Sequence, residues 1–255
     1  MRHFWLGILV STMMLVACSS SSVKSSSSVT LSSSVESSSS SSVPEGYVDP
    51  STVVKGILTD ARDGQTYKTV TIGTQTWMAE NLNFETENSF CYNDSAEYCP
   101  KFGRLYLWST AMDSVGTWST NGKGCGYEKY CSPTYPVRGV CPEGWHLPTV
   151  AEFETLIDAV GGISIASKVL KSQASWNGNG NGKDAFAFSA IPAGYRYSNG
   201  NFFDEGSRAY IWSSVENGSY GAYYMGLHYV YDDYACPSSL TKYFGFSVRC
   251  VKDEP

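Results

Sequence analysis

Cys141-Pro-Glu-Gly-Trp-His-Leu-Pro-Thr-Val-Ala-Glu-Phe-Glu-Thr-Leu-Ile-Asp-Ala-Val160, closed by Gly161-Gly162, is the stretch from which the fold is read. Thr149 stands where a helix needs an N-cap hydroxyl. Glu152, three residues on, can return its carboxylate to the N–H of the cap, which completes a capping box. Phe153, Leu156, Ile157 and Val160 recur at helical spacing, so a helix over 150–160 has one apolar face. The two glycines end it, because glycine accepts the left-handed backbone that closes a helix. A second, shorter helix is expected over 165–170.

On either side the pattern changes from helical spacing to alternation. Tyr67–Ile72 alternates, and Gly73 separates it from Gln75–Met78, a hairpin that sends Trp77 and Met78 into the core. Leu105–Met112 has modest helical character. Residues 185–191, 210–213, 222–231 and 245–251 read as strands, and Asn177–Gly182 alternates Asn and Gly as a loop does. No period of roughly 20–50 residues repeats, which argues against a solenoid or propeller. The expected fold is one α+β domain over 51–255, with one or two main helices on small antiparallel sheets.

The first 50 residues have a different composition. Arg2 and His3 precede an apolar run, Phe4–Val16, that is too short to span a bilayer. It ends in Leu15-Val16-Ala17-Cys18, which resembles the bacterial lipobox, so 1–17 read as a signal peptide and Cys18 as the lipidated residue of the mature chain. Two or more acyl chains anchor stably where one does not, and Ser19 resembles the pattern that goes on to the outer membrane. Residues 18–50 form the lipidated cysteine and a serine-rich linker, in which 19–43 are mostly serine and Pro44, Gly46 and Pro50 close the stretch. They cannot bury enough apolar surface to offset ordering and are expected to be a disordered tether holding the domain on the order of 25–30 Å from the lipid. The expected location is the outer membrane, lipid-anchored and facing the cell surface.

Of the eight cysteines, Cys18 belongs to the lipobox and the other seven lie in the domain. Cys91 and Cys99 can close one short loop, Cys125 and Cys131 another, and Cys141 and Cys250 can tie the middle of the domain to its last strand. Sequence alone leaves this connectivity open. Cys236 is left over, as a buried thiol, a free one or one exchanging with a neighbour. No Cys-x-x-Cys occurs, which leaves a thioredoxin-like site or a zinc ribbon without support.

Charged residues make up 16% of the chain, the net charge is −6 and no basic stripe forms, which argues against nucleic acid as a partner. The domain holds two histidines, His146 and His228, without a Gly-x-Ser-x-Gly elbow or a His-Glu-x-x-His motif. His146, just before the helix cap, is expected to bond backbone. Asp204-Glu205 and Asp232-Asp233 are adjacent acids that point to opposite faces of a strand and read as solvated loop charge. Gly178, Gly180 and Gly182 read as a turn. No metal or cofactor is expected.

All 18 tyrosines follow residue 46. Tyr220, Tyr224, Tyr229, Tyr231 and Tyr234 crowd one segment, and Trp176, Tyr195 and Tyr197 stand as further candidates for a ligand-binding surface. Rigid rings with a polar tip can stack on sugar faces or pack against a protein.

Several strings together resemble the Fibrobacter succinogenes major paralogous domain: Asp63-Gly-Gln-Thr-Tyr67, Trp77-Met-Ala-Glu-Asn-Leu82, Gly103-Arg-Leu-Tyr106, Cys141–Pro148, Phe188-Ser-Ala-Ile-Pro-Ala-Gly194, Tyr210-Ile-Trp-Ser-Ser214 and Gly245-Phe-Ser-Val-Arg-Cys250. The resemblance implies a C-type lectin-like fold with long disulfide-stapled loops. It brings no established activity. The calcium-holding Glu-Pro-Asn, Gln-Pro-Asp and Trp-Asn-Asp strings of such lectins are absent, and nothing matches the copper-binding cysteine pair of the formylglycine-generating enzymes, which share the wider fold. The expectation is a non-enzymatic lipoprotein for adhesion or recognition of extracellular material such as polysaccharide. The alternatives are a structural envelope protein making protein contacts, and an uncharacterised enzyme.

Overall fold

The computed structural model describes residues 46–231 and 235–254. The signal peptide, Cys18, nearly all of the serine-rich tether, the Asp232-Asp233 pair and Tyr234 lie outside the described residues. Along the chain come β1 (Val54–Thr59), β2 (Thr66–Ile72), β3 (Gln75–Met78), β4 (Ser89–Phe90), α1 (Cys99–Phe102), β5 (Leu105–Leu107), α2 (Trp108–Ala111), β6 (Trp145–His146), α3 (Val150–Ala159) and α4 (Ile163–Leu170). Then follow β7 (Ala193–Arg196), β8 (Phe202–Glu205), β9 (Arg208–Asn217), β10 (Gly221–His228), β11 (Cys236–Thr241), β12 (Gly245–Phe246) and β13 (Val251–Lys252). They form antiparallel sheets in the orders β1-β2-β3-β13-β6, β4-β5-β12-β7-β8 and β11-β10-β9. The fold is a mixed α+β arrangement of small sheets with few helices.

The hairpin explains why the core has two halves. Trp77 and Met78 are neighbours on β3 and so face opposite sides of the sheet, yet neither is exposed at all. Trp77 stacks on Phe153 of α3 at 5.6 Å. Met78 joins Trp108, Trp212 and Phe246 on the other side. The capping box is present as expected: the Thr149 hydroxyl accepts from the Glu152 N–H at 3.2 Å, and the Glu152 carboxylate accepts from the Thr149 N–H at 2.7 Å. Val48 already donates to Ala159 O at 2.8 Å, so pairing with the domain begins just before residue 51.

Four expectations need correction. Residues 185–191 form no strand; Asp184, Ala187 and Ser189 have φ near +50°, and only a single bridge joins Ala190 to Lys171. The Asp184 carboxylate takes the Ser189 N–H at 2.7 Å, and Arg249 takes the carbonyls of Phe188 and Ser189. These side chains occupy backbone groups that a ladder would need, and Phe186 and Phe188 still reach the core. Residues 105–112 divide into β5 and α2. The strand expected to run to Tyr231 stops at His228. The closing strand of 245–251 breaks into β12 and β13 where the chain passes between sheets, with Ser247 through Cys250 all buried.

Disulfides join Cys91 to Cys99, Cys125 to Cys131 and Cys141 to Cys250. Cys236 is buried and is not a free thiol. Disulfides persist in oxidising compartments, which places the domain outside the cytoplasm. Among the described residues no helix is long and apolar enough to cross a membrane.

Candidate recognition face

The Cys125–Cys131 loop carries Tyr127 and Tyr130, and three contacts fix it to the body. The disulfide closes it, the Cys131 N–H donates to the Glu216 carboxylate of β9 at 3.2 Å, and the Lys242 ammonium bridges Glu216 Oε2 at 2.7 Å and Lys129 O at 2.9 Å. Lys242 is itself held 4.6 Å above the Trp108 ring, so the clamp is rooted in the core. Next to this loop the β9–β10 turn brings up Tyr220, whose carbonyl accepts from the Lys242 N–H at 2.8 Å. Tyr243 follows in the β11–β12 turn.

The outcome is a continuous row of rings. Tyr220 lies 5.4 Å from Tyr127, Tyr127 5.1 Å from Tyr243, Tyr243 6.0 Å from Tyr197, and Tyr197 6.5 Å from Phe203. Each pair meets edge to face, the arrangement that ring quadrupoles favour. Tyr220, Phe203 and Tyr127 are 58%, 42% and 38% exposed, while Tyr243 and Tyr197 are half-buried. Beneath them Phe244 touches Tyr243, Tyr197 and Tyr195 at 5.1–5.4 Å and stacks on Phe246. A row resting on packed aromatics loses little side-chain freedom on binding, which is what preorganisation means energetically. The neighbouring Tyr243 phenol raises the pKa of Tyr197; burial first, then Glu128, does the same to Tyr127. Both phenols therefore keep their protons, and remain donors, at neutral pH.

The expected ligand residues divide. Tyr195, Tyr197 and Tyr220 belong to the row or its support. Tyr224 and Trp176 are 3% and 4% exposed, and the Trp176 indole N–H donates to Ala190 O and to the Ser172 hydroxyl, both at 3.1 Å. Neither ring can stack on a ligand, a correction that follows from Tyr224 pointing to the buried face of β10. Tyr229 packs against the helix-side core, and Tyr231 is exposed beside His228, with no ring contact to the row among the described residues. Tyr127, Tyr130, Tyr243 and Phe203 were missed. A signal existed for the first two, since the short Cys-Gly-Tyr-Glu-Lys-Tyr-Cys loop had to present its tyrosines outward.

Both histidines have structural partners. His146 uses neither nitrogen on backbone, correcting that expectation: Nδ1 bonds Asp253 and Nε2 bonds Glu152, each at 2.7 Å. Burial alone lowers its pKa, but the two carboxylates outweigh burial and raise it above the ordinary 6.5. A raised folded pKa means the contribution is complete below the unfolded pKa and is lost as pH rises through the folded one. Wild-type protein is therefore expected to lose stability in urea as pH rises through the ordinary histidine range near 6.5 and above it. His146→Asn removes most of that slope; an unchanged slope would show that another group carries it. His228 is pushed down to about 4, by burial first and then by Arg208, and its Nδ1 accepts the Val230 N–H at 3.0 Å. Among the described residues no three His, Cys, Asp or Glu side chains are grouped to hold a metal ion.

Fold, disulfides and face together define a stapled extracytoplasmic α+β domain. Residues 70–252 match the Fibrobacter succinogenes major domain, and the chain belongs to that family. No curated protein and no solved structure matches it.

Proposed function

We propose that this chain is a non-enzymatic lipoprotein, anchored through Cys18 in the bacterial outer membrane, that recognises extracellular polysaccharide through the aromatic row. The observation that carries the reading is the unbroken run of rings from Tyr220 to Phe203, stepped at about the length of one sugar residue and backed by packed core. Pyranose faces are apolar and their edges are hydroxylated. Tyrosine matches both, with a flat ring and a hydroxyl tip. The C-type lectin-like reading of the fold belongs to the same proposal; it is supported by the early strand β3 and the last strand β13 pairing side by side, with Cys141–Cys250 behind them.

The test is an affinity measurement of the purified full-length protein on neutral plant-type and bacterial polysaccharides. Tyr127→Ala and Tyr220→Ala are each expected to weaken binding roughly tenfold, the equivalent of about 1.4 kcal/mol, with the melting temperature nearly unchanged. Binding indifferent to both substitutions would remove the row from recognition. A protein that binds no polysaccharide would transfer the row to contacts with envelope proteins.

A further inference from the structure

The strings that carry the family resemblance are scattered along the chain, yet five of the seven meet at one place away from the aromatic row. Gln65, Asn81, Gly103, Ser189 and Arg249, one from each of five strings, line a cleft of about 510 Å³. Gly103 has φ +73°, and a Cβ there would sit 2.7 Å from Asn81, so the close approach that shapes this wall requires glycine. The volume lies in the range of small-ligand sites.

The electrostatics of the cleft are unbalanced. The Arg249 guanidinium, wholly buried behind the wall, donates to Asn81 Oδ1 at 2.7 Å, to Ser189 O at 2.8 Å and to Phe188 O. All three acceptors are neutral. Among the described residues no carboxylate pairs with it directly; Asp184 and Glu80 act on it only through space. A buried charge compensated by dipoles alone projects its field strongly, because little water screens it. At the rim stand Lys68 and Lys101, whose pairs with Glu80 at 3.5 Å and Glu205 at 3.2 Å are solvent-exposed and readily exchanged. Asn83 also lines the cleft, and its buried Oδ1 has no hydrogen-bond partner among the described residues. Glu80 also lines the cleft, so the attraction of the site for an anion rests on Lys68 and Lys101 leaving their exposed pairs and on the field of Arg249.

We infer that the cleft binds a uronic-acid unit, a sugar whose carboxylate answers Lys68, Lys101 and the field of Arg249. The inference rests on the reading of the chain as a recognition domain but uses a site separate from the row. In this arrangement the row takes neutral sugar faces and the cleft takes the acidic unit.

Isothermal titration of the full-length protein with trigalacturonic acid, a neutral galactose trisaccharide and acetate tests this. The acidic trisaccharide is expected to bind, and the neutral trisaccharide and acetate to bind at least tenfold more weakly. Lys68→Glu combined with Lys101→Glu, both on exposed side chains, is expected to weaken the acid at least tenfold. Raising salt from about 50 to about 500 mM is expected to weaken it severalfold by screening, and Tyr127→Ala to leave it unchanged. Absence of binding, equal binding of the neutral trisaccharide or acetate, or indifference to the double charge reversal would each overturn the inference. Loss on Tyr127→Ala alone would do so too, by placing the acid on the row. Failure of the row is separately visible, as neutral polysaccharide binding that survives the tyrosine variants.

Discussion

Alanine at both Cys141 and Cys250 lowers the unfolding free energy by about 3–5 kcal/mol in guanidinium denaturation. The bridge joins residues 109 apart, and a cross-link of that span removes about 4–5 kcal/mol of chain entropy from the unfolded state. Both sulfurs are fully buried, so their loss also leaves a packing defect, and alanine avoids stranding a serine hydroxyl in the core. The two local bridges close separations of 8 and 6 residues, for which the same model gives about 2–2.5 kcal/mol. The expected order is therefore the long bridge first, with the Cys125–Cys131 pair altering recognition more than stability because it fixes Tyr127. A long-bridge variant less damaged than either short-bridge variant would show that the unfolded chain is already compact, so that loop length no longer sets the cost.

What could be read from the sequence was what local chemistry decides. Helix α3 follows from Thr149, Glu152 and the two glycines, none more than a few turns from the residues it governs. The β2–β3 hairpin follows from alternation around Gly73 in the same way. Residues 185–191 were misread because the groups that bend them lie elsewhere. Alternating Phe186 and Phe188 suggest a strand, but Arg249, some 60 residues on, takes two of its carbonyls. The aromatic row was half legible for a related reason. Tyrosine abundance pointed to a surface, and Tyr220 and Tyr197 were found. Their partners Tyr127 and Tyr243 come from two other loops, brought together by Glu216 and Lys242, an ion pair with no local signature. The same clustering in sequence that drew attention to 220–234 misassigned Tyr224, since neighbours on a strand face opposite ways.

The buried arginine that bends 185–191 is also where the second large effect is expected. Arg249→Met should cost about 3–5 kcal/mol, because it removes the donor to three buried neutral acceptors at once. Methionine fills much of the volume, so the loss reports mainly on polar groups: Asn81 Oδ1 and the carbonyls of Phe188 and Ser189 would be left buried without donors, each carrying a penalty of about 1–3 kcal/mol before relaxation. Burial lowers the Arg249 pKa to about 9, so the group stays charged at neutral pH and donates to all three acceptors at once. Lysine keeps the charge but cannot span three divergent acceptors from one nitrogen, and Arg249→Lys should recover less than half of the loss. Coupling is expected with Asn81, whose amide donates onward to Phe102 O at 2.8 Å and to the Ser247 hydroxyl at 3.1 Å. In a double-mutant cycle, Asn81→Ala on the Arg249→Met background should therefore cost clearly less than Asn81→Ala in wild type. Additive losses would mean that the guanidinium and the amide act independently. The turn at 187–189 would then be held by Asp184 and Arg249 without help from Asn81, and the wall of the cleft would not depend on the joint network.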